Sequence, residues 1–107
     1  MPETTFWRVD IHSQGLEVAG SLTDLIHERL RAALTGLERQ VVHAHVRLYA
    51  AAGGCTCYMR VDLSPSGGFA RGDCGEHECE AVERAAARVR AAAAEHVWSV
   101  SSMPRRR

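Results

Sequence analysis

With 107 residues, 46% of them hydrophobic, the chain builds one ordinary core and a single domain, which excludes multidomain machinery. All thirteen positive charges are arginine and balance thirteen Asp and Glu; with Arg105, Arg106 and Arg107 set aside, ten arginines face thirteen acids, a body charge of −3, so no global field draws the molecule to a polyanion. No N-terminal apolar run has the form of a secretory signal and no stretch is long enough to span a bilayer, which points to a cytoplasmic protein whose four cysteines are reduced thiols.

Residues 1–4 read as a frayed terminus. In the first strand, Phe6 to His12, the residues Trp7, Val9 and Ile11 alternate with Arg8, Asp10 and His12, the period of a half-buried strand. After a turn at Ser13-Gln14-Gly15, an amphipathic helix is expected over Ser21 to Leu37. Ser21 is its expected N-cap, with Asp24 three positions later in the manner of a capping box. Leu22, Leu25, Ile26, Leu30, Ala33, Leu34 and Leu37 form its apolar stripe. Arg29 borders that stripe and is expected to reach past the sheet edge.

The second strand places Val42, Ala44, Val46 and Leu48 inward and His43, His45, Arg47 and Tyr49 outward. Ala50 to Gly54 reads as a flexible connection. The third strand turns Cys55, Cys57, Met59, Val61 and Leu63 inward and Thr56, Tyr58, Arg60 and Asp62 outward. Ser64-Pro65-Ser66-Gly67-Gly68 is a hairpin turn, and the fourth strand, about Phe69 to Cys74, admits two registers. The second helix, Glu78 to Val97, carries a thin stripe of Cys79, Val82, Ala86, Val89, Ala93 and Val97, with Glu80 and Arg84 as an outward i,i+4 pair. This β-α-β-β-β-α order is most simply buried as a two-layer α+β sandwich, a four-stranded sheet with both helices on one face. Residues 1–98 then form one domain, and 99–107 an arginine-rich tail expected to be disordered.

The sheet face without helices would carry Arg8, Asp10, His12, His43, His45, Arg47, Tyr49, Tyr58 and Arg60, either a platform for bases and phosphates or an ordinary solvated face. His43 and His45 have the spacing of two metal ligands on one strand, with His12 the nearest third candidate, but no carboxylate cluster completes the set and no metal is expected. Cys55-x-Cys57 and Cys74-x-x-His77-x-Cys79 match compact zinc knuckles poorly, and Cys57 and Cys79 occupy apolar stripe positions. Buried thiols, a redox disulfide and zinc all stay open for them. No nucleophile elbow and no phosphate-cradling glycine loop with a following lysine is present, so no catalysis and no cofactor are expected. Arg84 and Arg88 on the second helix and Arg31 on the first are the last candidates, either phosphate contacts, because the guanidinium is a planar fork matched to phosphate oxygens, or ordinary solubilising charges.

Four stretches carry a resemblance to one family. Leu22-Thr23-Asp24-Leu25-Ile26-His27-Glu28-Arg29-Leu30 resembles the first helix of the ribosome hibernation-promoting and ribosome-associated inhibitor proteins. His45-Val46-Arg47-Leu48 is similar to their second strand, and Cys57-Tyr58-Met59-Arg60-Val61-Asp62-Leu63 to their third. Glu80-Ala81-Val82-Glu83-Arg84-Ala85-Ala86-Ala87-Arg88-Val89 resembles their second helix. The likeness spans roughly Phe6 to Val97 and rests on order and spacing. It implies the same β-α-β-β-β-α layout, akin to double-stranded-RNA-binding domains, and binding in the tRNA and mRNA channel of the small ribosomal subunit. Arg29 and Arg88 match basic positions of the family; Ala32, Thr35, Ala91 and Glu95 stand at others, and Cys79 replaces an aromatic residue.

The expected function is therefore a short, divergent, non-catalytic ribosome-associated factor that restrains translation in resting or stressed cells. Arg29, Arg31, Arg84, Arg88 and Arg90 would meet rRNA phosphates. The alternative is a protein-interaction or thiol- or metal-responsive module on the same fold. A homodimer through a strand edge is a further expected partner.

Overall fold

The alternating segments and apolar stripes assemble into six elements: β1 (Arg8–Gln14), α1 (Gly20–Ala33), β2 (Val41–Ala51), β3 (Gly54–Leu63), β4 (Gly68–Gly75) and α2 (Glu78–Ser102). This structure, a computed structural model, describes residues 7–64 and 67–102. The strands lie in the order β1-β2-β3-β4, with β1 parallel to β2 and the remaining pairs antiparallel. Parallel neighbours need a long crossover, which α1 supplies, whereas antiparallel neighbours need only tight turns. The expected α+β sandwich is the fold observed.

Ile26, Leu30, Leu34 and Leu37 from the first helical segment meet Val46, Leu48, Cys57, Met59 and Val61 from the sheet and Val82 and Val89 from α2, all fully buried. The buried face of α2 is broader than the expected thin stripe: Ala81, Val82, Ala85, Ala86, Val89, Ala92 and Ala93 line it. Small side chains at these positions let α2 lie close to α1, β3 and β4. No helix among the described residues is long and apolar enough to cross a membrane.

Several local expectations are corrected. Ala19, not Ser21, is the N-cap of α1, and no side chain caps it; the Ala19 carbonyl instead accepts the amides of Leu22 and Thr23, each at 3.0 Å. The α1 helix ends at Ala33, and Leu34 and Leu37 reach the core from the turn that follows. A register shift between Val41 and His43 buries Val41 and leaves Val42 52% exposed, the reverse of strict alternation. The β2–β3 connection is a two-residue turn, Ala52-Gly53, rather than a flexible segment, with Gly53 at φ +78°, a conformation that favours glycine. Cys79 is exposed, so it is not part of the apolar stripe of α2. The α2 helix continues to Ser102, past its expected end at Val97; the terminal arginines lie outside the described residues.

Candidate functional site

The register sorts the sheet residues into two faces. On β4, Phe69, Arg71 and Asp73 stand opposite Val61, Met59 and Cys57 on the helix-covered side. Ala70, Gly72 and Cys74 stand opposite Arg60, Tyr58 and Thr56 on the open side. This resolves the register of the fourth strand that the sequence left open.

Four rows cross the open face: Arg8, His43 and Asp62; Asp10, His45 and Arg60; His12, Arg47 and Tyr58; and Gln14, Tyr49 and Thr56. Small β4 residues close each row, so the polar groups of the three other strands stand above a low edge. His12, His45, Arg47, Tyr58 and Arg60 line a concavity of about 250 Å³.

Beside it, His43 and His45 are bridged to carboxylates from two different strands. His43 Nε2 is 2.6 Å from Asp10 Oδ2. His45 Nε2 is 3.1 Å from Asp62 Oδ2 and 3.1 Å from Arg60 Nη2. Arg60 also grips Asp62, with Nη2 3.3 Å from Oδ2 and Nε 3.3 Å from Oδ1. The hydrogen bond to His43 holds the Asp10 carboxyl below its usual range, against the opposing effect of burial. Burial acts to raise the Asp62 carboxyl, but hydrogen bonds to Arg60 and His45 outweigh it and the net shift is downward. His12, the expected third partner of the histidine pair, stands opposite Arg47 one row away; Asp10 takes that place.

The five helix arginines are divided between two surfaces. Arg29 Nη2 is 3.1 Å from Glu83 Oε2, an ion pair that ties α1 to α2 and replaces the expected reach past the sheet edge. Arg90 lines the same inter-helix seam, with Arg29, Ala32, Glu83 and Ala86. On the other side of α2, Arg84 meets Glu80 at 2.9 Å and donates to the Cys74 carbonyl at 3.1 Å, while Arg88 lies 3.6 Å from Asp73 of β4. The backbone amide of Glu76 donates to Glu80 at 2.7 Å and, with Arg84, keeps that carboxyl ionised to lower pH than usual. Arg31 is exposed on α1. Arg29, Arg84 and Arg88 thus each have a carboxylate partner on the protein's own surface.

All four cysteines are free. Cys55 and Cys57 are buried on the covered face, and burial, with a smaller effect of Cys55, pushes the Cys57 thiol up to about 12. Cys74 faces the opposite side of the sheet and Cys79 is exposed at the start of α2. The four-thiol zinc arrangement considered from the sequence is therefore not assembled.

No protein-family profile matches the chain, and no curated protein does. Among solved structures, a ribosomal subunit interface protein from Coxiella burnetii superposes with a TM-score of 0.76 at 11% identity, covering 83% of this chain and 96% of that one. The N-terminal domain of Protein Y from Thermus thermophilus superposes with a TM-score of 0.71 at 20% identity, covering 87% of this chain and 99% of the other. At these identities the likeness establishes a shared fold.

Proposed function

We propose that this chain is a non-catalytic, cytoplasmic, ribosome-associated factor that contacts small-subunit rRNA and restrains translation in resting or stressed cells. The observation that supports the reading is the fold match to a ribosomal subunit interface protein over 83% of this chain and 96% of that one. Arg29, Arg31, Arg84, Arg88 and Arg90 make the phosphate contacts, since phosphate neutralisation dominates affinity for nucleic acid. Their carboxylate partners do not forbid this. Exposed ion pairs are worth only ~0–1 kcal/mol, so a guanidinium exchanges Glu83, Glu80 or Asp73 for a phosphate at small cost.

Co-sedimentation with ribosomes at low salt tests the proposal. Arg29→Glu combined with Arg88→Glu is expected to weaken binding at least tenfold and to flatten its salt dependence. Binding unchanged in this double variant overturns the assignment of these residues, and no binding by the unaltered chain overturns the ribosome reading. In that event the alternative, a protein-interaction or responsive module, is the reading to pursue, with pairing of two copies along the edge of β1 or β4 tested by light scattering.

A further inference from the structure

We propose that Asp10, His43 and His45 bind a divalent first-row transition-metal ion such as zinc on the open face of the sheet. Ribosome binding by the helices plays no part in this proposal.

Topology builds the site. The parallel register seats Asp10 directly against His45, and the pleat carries His43 to the same face two residues earlier. One ligand atom from each of the three residues lies within 4.8 Å of the other two. The two imidazoles stand with centroids 3.9 Å apart, tilted by 36°, and Asp10 Oδ2 closes on His43 Nε2 at 2.6 Å. A tetrahedral zinc with bonds of about 2.0–2.1 Å holds its ligand atoms roughly 3.3 Å apart. The Asp10–His43 contact must open by about 0.7 Å, and the wider separations, at most 4.8 Å, must close by up to about 1.5 Å, movements within reach of side-chain rotation.

The chemistry of the donor set selects the ion. Two imidazoles and one carboxylate suit zinc and its neighbours in the first transition row, whereas magnesium and calcium take oxygen ligands. Three protein ligands leave a fourth position for water or an exogenous group. Asp62, 3.1 Å from His45 Nε2 and itself held by Arg60, is the outer carboxylate that commonly orients a metal-bound imidazole. Asp10 and Asp62 together bring two negative charges to the dication, while Arg8 and Arg60 flank the cluster and moderate the affinity.

The test uses the full chain, stripped with chelator, and titrates Zn²⁺ by calorimetry and Co²⁺ by absorption. One equivalent should bind, with visible cobalt bands and no thiolate charge-transfer band. His45→Ala and Asp10→Asn should each lower affinity roughly tenfold or more, while Cys74→Ser with Cys79→Ser leaves it unchanged. No stoichiometric uptake, uptake that persists in both His45→Ala and Asp10→Asn, or uptake lost in the cysteine variant overturns the proposal. If His45→Ala fails to fold, proton NMR of the unaltered chain decides. Zn²⁺ should shift the imidazole resonances of His43 and His45; a shift confined to other histidines overturns the site.

Discussion

Burial separates the four cysteines into two chemical kinds. Cys57 lies between the sheet and the helices, and a thiol pushed up to about 12 carries almost no thiolate at neutral pH. Burial, with a smaller effect of Glu78, also raises the Cys55 thiol. Cys74 and Cys79 are exposed. A thiol-exchange reagent at neutral pH is expected to modify two cysteines rapidly and the other two only after denaturation; four equally fast thiols contradict the packing. The carboxylates of the open face give a second prediction. Asp10 and Asp62 are held below the usual 3.8 in the folded chain, so their contribution to stability is present above about pH 4 and is lost as pH falls through their folded values. With chelator present, Asp10→Asn combined with Asp62→Asn should lower the urea midpoint at pH 7 and reduce its further drop at about pH 3. An unchanged acid slope means that the two hydrogen-bonded pairs do not contribute.

Between elements, the decisive contacts join residues that the local patterns treat separately. Arg29 borders the stripe of α1, and its partner Glu83 sits 54 residues away on α2. That pairing has a functional consequence under the ribosome proposal. Glu83→Gln should change stability by less than ~1 kcal/mol, because both side chains are about half exposed, yet should strengthen ribosome binding by releasing the Arg29 fork. Urea titration and co-sedimentation of the same variant check both halves. Weakened binding would show that Glu83 positions Arg29 rather than competing for it. Glycine constrains the start of α2 in a different way. A Cβ on Gly75 meets the Ala81 amide nitrogen at 2.7 Å and Glu80 Cβ at 2.8 Å, so β4 passes into α2 through a space only glycine leaves.

For the molecule as a whole, affinity for RNA is set by how many phosphates it neutralises. Five arginine contacts predict a slope of log affinity against log salt of about −4, and two contacts about −2. A co-sedimentation series read as such a slope counts the arginines engaged, and a slope near zero removes phosphate contact from the mechanism. The number matters because Arg29, Arg84 and Arg88 begin with carboxylate partners that a phosphate must displace.

The order of strands and helices, the inward residues of β3 and most of the α1 stripe were legible in the chain because periodicity is a property of contiguous residues. The exposed arginines of the helices were legible for the same reason. Errors arose where spacing failed to reveal a local irregularity, as at the bulge that exchanges Val41 and Val42, or where backbone capped a helix without help from Ser21. The grouping of Asp10 with His43 and His45 lay out of reach. Asp10 and His43 are 33 residues apart, and the crossover through α1 does not state the register in which β1 and β2 pair. The alternation of each strand follows from neighbouring side chains facing opposite ways. Which histidine meets which carboxylate follows from hydrogen-bond register between distant strands, which a one-residue slip would send to the other face of the sheet.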